Sequence, residues 1–91
     1  MQKEKNLENE CCAIARRLGI ISIKLEKNAH TGIPDRLFLK NGKAVFVEFK
    51  AKGGVISENQ TFWRQILQGN GFAHYYCDNV ADFFNILMQH F

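Results

Sequence analysis

The segment GIPDRLFLKNGKAVFVEFKAKGG, residues 32–54, predicts a β-hairpin at the centre of the fold. Asn41 and Gly42 separate two runs of largely apolar residues, and both central positions of a tight hairpin turn require the positive φ that Asn and Gly adopt readily. With a two-residue loop at these positions, Asp35 faces Glu48 across the hairpin. Facing residues point their side chains to the same side of a sheet, with Cβ atoms about 5 Å apart.

The same hairpin predicts a candidate metal site. Lys50 lies two residues beyond Glu48 and therefore shares its face, so Asp35, Glu48 and Lys50 converge at one end of the hairpin. Two opposed carboxylates repel each other unless a cation lies between them, and hard oxygen ligands favour Mg²⁺ or Mn²⁺. Such a cation lowers the pKa of a coordinated water, which can then attack a phosphodiester. Lys50 can orient or deprotonate that water, or neutralise charge on the phosphate. The alternative is an ordinary Glu-Lys pair on a solvated strand.

The sequence before the hairpin predicts a helix, a strand and a loop. Apolar residues recur at helical spacing from about Lys3 to Leu18, and Gly19 supplies a C-terminal stop. Residues 20–25 alternate between apolar and polar side chains, which predicts a strand. Residues 26–34 are rich in turn formers and predict a loop.

The sequence after the hairpin predicts a helix, a strand and a final helix. Ser57 and Gln60 have the spacing of a capping box, which begins the helix. Residues 72–77 form a strand that follows a helical crossover, so it pairs in parallel with a neighbour. Residues 79–90 form the last helix. The predicted fold is therefore an α/β domain of order α-β-β-β-α-β-α, with a mixed sheet flanked by helices.

Length and composition set further limits. With 91 residues, of which 46% are hydrophobic, residues 1–91 are expected to form a single domain with one core. No apolar run approaches the ~20 residues that a membrane span needs, and the polar start is unlike a signal peptide. Cys11 and Cys12 are adjacent and Cys77 is distant, so we expect three reduced thiols in a cytoplasmic protein. The net charge of +3 is compatible with a polyanionic partner.

The motif order resembles a known nuclease family. GIPD at residues 32–35, the V-E-x-K strand at 47–50, the glycine-containing loop after it and Gln60 followed closely by Trp63 are similar to the pattern of VRR-NUC (virus-type replication-repair nuclease) domains. The resemblance spans about residues 4–78. It implies the restriction-endonuclease-like core of the PD-(D/E)xK superfamily, catalysis with Mg²⁺ or Mn²⁺, and DNA as the substrate. It further implies Asp35, Glu48 and Lys50 as the catalytic set, with the carbonyl of Phe49 as a further metal ligand.

Other residues are candidates for the site. The first helix should supply a further acid, for which small neighbours favour Glu8, with Glu10 as the alternative. Gln60 either completes the capping box or supports the site, two roles that exclude each other only partly. Arg36 follows Asp35 and by alternation points to the other sheet face. The candidate DNA contacts are Lys24, Lys27, His30 and Lys52.

These observations predict a metal-dependent DNA endonuclease. A single small domain of this kind resembles phage-type members suited to branched DNA such as four-way (Holliday) junctions, which need two symmetric cuts and hence a homodimer. We expect the last helix to form part of the dimer contact, because a thin domain cannot cover all of its apolar side chains, of which six are large and spread over a broad arc: Val80, Phe83, Phe84, Leu87, Met88 and the terminal Phe91. The expected location is the cytoplasm of a phage-infected or prophage-carrying bacterium. The alternatives are a nuclease for flaps, nicks or ends, and a non-catalytic DNA-binding domain of the same fold.

Overall fold

The computed structural model describes residues 2–91, which form three helices and four strands. In chain order they are α1 (Gln2–Arg17), β1 (Ile21–Lys24), β2 (Arg36–Lys40), β3 (Lys43–Phe49), α2 (Glu58–Gly69), β4 (Ala73–Cys77) and α3 (Val80–His90). The predicted order α-β-β-β-α-β-α is confirmed. Within these residues, no helix is both long and apolar enough to cross a membrane.

The four strands form one mixed sheet in the order β1-β2-β3-β4. β2 is antiparallel to both β1 and β3, whereas β4 runs parallel to β3. The turn between β2 and β3 has positive φ at Asn41 (52°) and Gly42 (75°), as the Asn-Gly pair predicts. Arg36 pairs with Val47. The predicted register of the hairpin is therefore confirmed.

One face of the sheet holds the hydrophobic core beneath α1 and α3. Alternate residues of β2 and β3 point to this face, and the ring of Phe38 meets that of Phe83 from α3 at a centroid distance of 5.1 Å. α1 contributes small residues to this core, namely Cys11, Cys12 and Ala15. The buried hydrophobic residues are Cys11, Cys12, Ala15, Ile20, Phe38, Val45, Val47, Phe49, Cys77, Phe83, Ile86 and Leu87.

The opposite face is only partly covered, because α2 packs against β4 at one side of the sheet. Ile21 and Ile23 of β1 point to this open face and remain 58% and 40% exposed. The polar members of β1, Ser22 and Lys24, point towards α1 instead. A strand of alternating pattern normally turns its apolar side chains towards the helices and its polar ones towards solvent. In β1 the polar side chains face α1 instead, because the carboxylate of Glu8 on α1 binds Lys24.

The apolar surface of α3 is smaller than the sequence suggested. Phe83 and Leu87 are fully buried, and Val80 and Phe91 pack against the core. Of the six apolar residues expected to exceed what the domain can cover, only Phe84 and Met88 are largely exposed, at 44% and 55%. The expectation of a broad free surface on the last helix was wrong, because the helix packs against both α1 and the sheet.

Candidate active site

The two acidic residues of the hairpin meet as the register predicts. Asp35 lies directly before β2, and the backbone N–H of Phe49 donates to its Oδ2 at 2.8 Å. The carbonyl of Asp35 in turn accepts from the N–H of Leu25 at 3.0 Å. Glu48 is 3% exposed at the end of β3. The pairing of β2 with β3 thus continues one residue beyond Arg36 and holds Asp35 beside Glu48 and Phe49.

Lys27 joins the two carboxylates from the loop before β2. Its ammonium group lies 3.0 Å from Oδ1 of Asp35 and 3.6 Å from Oε1 of Glu48. Partial burial lowers the pKa of Lys27, but the hydrogen bond to Asp35 and the charge of Glu48 outweigh burial and raise the pKa above its ordinary value. Lys50 lies on the other side of Glu48, with its ammonium group 3.9 Å from Oε2. Asp35, Glu48 and Lys50 therefore converge, and Lys27 joins them.

The electrostatics of the site centre on Glu48. Burial and then the negative charge of Asp35 raise the pKa of Glu48 to about 7, although Lys27 and Lys50 act in the opposite direction. Burial penalises the charged carboxylate, and a second carboxylate nearby repels it. A cation bound beside Glu48 would reduce this penalty, because it would favour the charged carboxylate.

The free oxygens fit a divalent cation. Oε1 of Glu48 is buried and has no hydrogen-bond partner among residues 2–91, and Oδ1 of Asp35 faces only Lys27. The main chain of Phe49 adjoins Asp35, so the carbonyl of Phe49 remains a candidate third ligand. No cluster of three or more His, Cys, Asp or Glu side chains exists within the described range. Such a sparse oxygen set suits Mg²⁺, which is commonly held by one or two carboxylates and keeps several waters.

Gln60 fills both of the roles that the sequence left open. Its Oε1 accepts from the backbone N–H of Ser57 at 3.0 Å, and Oγ of Ser57 accepts from the N–H of Gln60 at 3.2 Å, which completes the capping box. Its Nε2 donates to Oε2 of Glu48 at 3.0 Å. The first turn of α2 therefore fixes the orientation of the Glu48 carboxylate.

Glu8 lies on the α1 side of the sheet. Its Oε2 accepts from Nζ of Lys24 at 2.9 Å and from Nε of Arg36 at 2.7 Å. Burial raises the pKa of Glu8, but these two hydrogen bonds outweigh burial and hold the pKa below its ordinary value. Glu10, the alternative acid, is exposed. The structure thus pairs Glu8 with Arg36, the residue that follows Asp35. Within residues 2–91, the carboxylate of Glu8 does not form a cluster with those of Asp35 and Glu48.

The candidate DNA contacts lie in different surroundings. His30 is exposed in the loop before β2 and packs edge-on against Trp63 of α2, at a centroid distance of 5.3 Å. Lys52 is exposed in the glycine-rich loop, two residues after Lys50. Lys24 is tied to Glu8, although its side chain remains 47% exposed. Of the four groups, Lys27 contacts the two acids directly and Lys52 lies two residues after Lys50.

Two features of the site were missed in the sequence. Lys27 was expected only as a DNA contact, and its bridge between the carboxylates was not foreseen. Arg36 was correctly assigned to the other sheet face, but its bond to Glu8 was not foreseen. Strand alternation gives the direction of Arg36, whereas no local pattern reports where a lysine in an irregular loop will point.

Comparisons with known proteins identify the family and the fold of this chain. The family model described as the VRR-NUC domain matches residues 3–81. The "Putative nuclease p44" of Acyrthosiphon pisum secondary endosymbiont phage 1 is 40% identical over 52 residues, which span 56% of this chain and 56% of that protein. A solved structure titled "VRR_NUC domain" superposes with a TM-score of 0.86 and covers 98% of both chains, at 20% identity. At that identity the superposition shows a shared fold.

Proposed function

This chain belongs to the VRR-NUC domain family, and we propose that it is a DNA endonuclease that depends on Mg²⁺ or Mn²⁺ and acts at the Asp35–Glu48 pair. The observation that carries the proposal is the pairing of two carboxylates, one of them with an unbonded buried oxygen, beside the ammonium group of Lys50. The aligned relative carries the name "Putative nuclease p44", and the chain spans about half of its length.

Each residue has a role that follows from its contacts. Asp35 and Glu48 would hold the cation, which when bound would supply Lewis-acid chemistry to the phosphodiester and to the attacking water. Gln60 donates to one oxygen of Glu48 and so leaves the other oxygen directed at the cation. Lys50 keeps a positive charge beside the acids, where it stabilises negative charge that develops on the phosphate during attack. Glu8 positions Arg36, the neighbour of Asp35.

DNA is the substrate that these surroundings favour. Lys27, Lys50, Lys52 and His30 belong to the two loops that flank the acids and supply positive or hydrogen-bonding groups around them. Phosphate contacts of this kind position a duplex without reading its sequence. We therefore infer that the enzyme selects branched DNA, such as a four-way junction, by shape. The three free thiols agree with a reducing cytoplasm in a phage-infected or prophage-carrying bacterium, where such DNA occurs.

One gel tests the activity. Linear, flapped and four-way DNA are incubated with the protein in Mg²⁺, in Mn²⁺ and in EDTA. We expect cleavage of the four-way substrate with either cation and none in EDTA. Asp35→Asn should abolish cleavage while its circular dichroism spectrum stays that of the wild type. Preferred cutting of flaps or ends would replace the junction assignment, and binding without cutting under all conditions would identify a non-catalytic DNA-binding domain.

A two-fold homodimer is the assembly we propose for paired cuts. Of the exposed apolar side chains, Ile21, Ile23 and Phe72 lie at the sheet face that α2 leaves open, where Phe72 contacts Phe46. Exposed apolar side chains on such a face favour association with a second copy of the chain, and a domain this small gains stability when they are covered. The open sheet face therefore replaces α3 as the expected contact.

Light scattering of matched variants tests the dimer. At micromolar concentration the wild type should have a mass of about 21 kDa, twice the 10.5 kDa of the chain. Ile21→Lys should shift the mass towards the monomer, because Ile21 is 58% exposed on the open face. Met88→Lys, at a similarly exposed site on α3, should leave the dimer intact. The opposite ranking would return the interface to α3, and a monomeric wild type that still cuts branched DNA would exclude the paired mechanism.

A further inference from the structure

We propose that Lys27 occupies the cation position of the metal-free protein and that a divalent metal must displace its ammonium group to bind. The inference rests on the proposed metal site and adds a competing internal cation to it. It assigns Lys27 a positioning role that precedes any contact with DNA.

The contacts of Lys27 match those expected of a bound cation. Its Nζ lies 3.0 Å from Oδ1 of Asp35 and 3.6 Å from Oε1 of Glu48. The remaining oxygens are engaged elsewhere, since Oδ2 of Asp35 accepts from the N–H of Phe49 and Oε2 of Glu48 accepts from Gln60. Lys27 therefore faces the same two oxygens that are free for a metal. A divalent ion there would lie within a few ångströms of the ammonium group and repel it.

The two lysines of the site differ in how easily they can move. The side chain of Lys27 is 40% exposed and extends from the middle of an irregular loop, whereas that of Lys50 is 14% exposed and extends from the residue directly after β3. A lysine on a flexible four-carbon stem can rotate into water when a stronger cation arrives. Lys50 faces Oε2 of Glu48 and need not move. A bound metal would therefore displace the ammonium group of Lys27 and leave that of Lys50 in place.

Displacement has a consequence for substrate binding. In the metal-free protein, the positive charge of Lys27 is used to neutralise the two acids. Once a metal replaces it, the ammonium group is free to meet an anion near the metal, and the phosphate of the proposed substrate is such an anion. Binding of metal would therefore switch Lys27 from a carboxylate partner to a phosphate partner.

Calorimetry with Mn²⁺ alone, without DNA, tests the competition. We compare the wild type, Lys27→Met, Lys43→Met and Asp35→Asn. Lys43 is exposed at the hairpin turn, at the other end of β3, and its variant loses the same charge. A neighbouring charge shifts an ionic equilibrium by about one to three powers of ten, and partial exposure favours the lower end. We therefore expect Lys27→Met to bind Mn²⁺ about tenfold more tightly than the wild type, and Lys43→Met to match the wild type.

The outcomes separate this inference from the proposed function. Equal or weaker binding by Lys27→Met, with wild-type binding that Asp35→Asn abolishes, would overturn the displacement and leave the metal site standing. Binding seen only in Lys27→Met would support the displacement. No binding by any variant would overturn both.

Thermal unfolding gives a second readout that does not depend on how Met packs. The rise in melting temperature between EDTA and a fixed Mn²⁺ concentration reports affinity for the folded state. This rise should be larger in Lys27→Met than in the wild type and in Lys43→Met. An equal rise in all three would refute the displacement.

Discussion

Replacing Glu48 with glutamine should stabilise the metal-free protein at neutral and alkaline pH. Burial and the charge of Asp35 raise the pKa of Glu48 from 4.5 to about 7. The folded state therefore binds more protons than the unfolded state between these two values, and the free energy of unfolding falls as pH rises through this window. Below about pH 4.5 the penalty is absent, and above about pH 7 it is complete.

The size of the effect follows from the same values. A pKa of about 7 in place of 4.5 corresponds to about 3 kcal/mol of destabilisation at pH 8. The side chain introduced by Glu48→Gln would be neutral at every pH, so this penalty would disappear. Its amide N–H₂ would, however, face another hydrogen-bond donor, either Lys27 or Nε2 of Gln60, and this mismatch costs about 1 kcal/mol. We therefore expect Glu48→Gln to gain about 2 kcal/mol at pH 8, or roughly 10 °C in melting temperature for a domain of this size.

Urea unfolding in EDTA at pH 4.5, 6 and 8 measures this difference at one fixed protein concentration. The gain of Glu48→Gln should grow across the series and vanish or turn into a small loss at pH 4.5. Glu10→Gln, which removes an exposed carboxylate from α1, should follow the wild type at every pH. Parallel curves for the wild type and Glu48→Gln across the series would refute the raised pKa and the account of the site built on it. The same variant should be inactive in the cleavage gel despite its greater stability.

Three further predictions concern α1, the loop before β2 and the thiols. Glu8→Gln should lose much more cleavage activity than Glu10→Gln, because only Glu8 holds a neighbour of Asp35, and the reverse ranking in initial rates would move the role of the helix acid to Glu10. Gly32→Ala should lower the free energy of unfolding by about 2 kcal/mol in urea, because φ is +90° and the added Cβ would lie 2.5 Å from the backbone of Asn59; an unchanged midpoint would contradict this close approach. Burial raises the pKa of Cys11 to about 12, so Cys11 should resist a thiol reagent at pH 8 until denaturant is added. Rapid labelling of Cys11 in the native protein would disprove its burial.

Local sequence patterns were sufficient to predict the hairpin and, through it, the centre of the candidate site. Asn41-Gly42 selects a tight turn, the turn sets the register, and the two-residue period of a strand then assigns Asp35, Glu48 and Lys50 to one face. Each step depends on residues close together in the chain. The capping box at Ser57 and Gln60 was readable for the same reason, since a helix N-terminus has a fixed spacing.

Packing between distant elements sets which side chains join the two acids and which surfaces stay open. Lys27 reaches the acids from a loop that depends on distant contacts, where His30 meets Trp63 and Gly32 adjoins α2. β1 turns its apolar residues outwards because Glu8, sixteen residues before Lys24, attracts the polar ones. Local periodicity fixes the direction of a side chain relative to its own strand, but the partner that it meets is set by the packing of elements that are far apart in sequence.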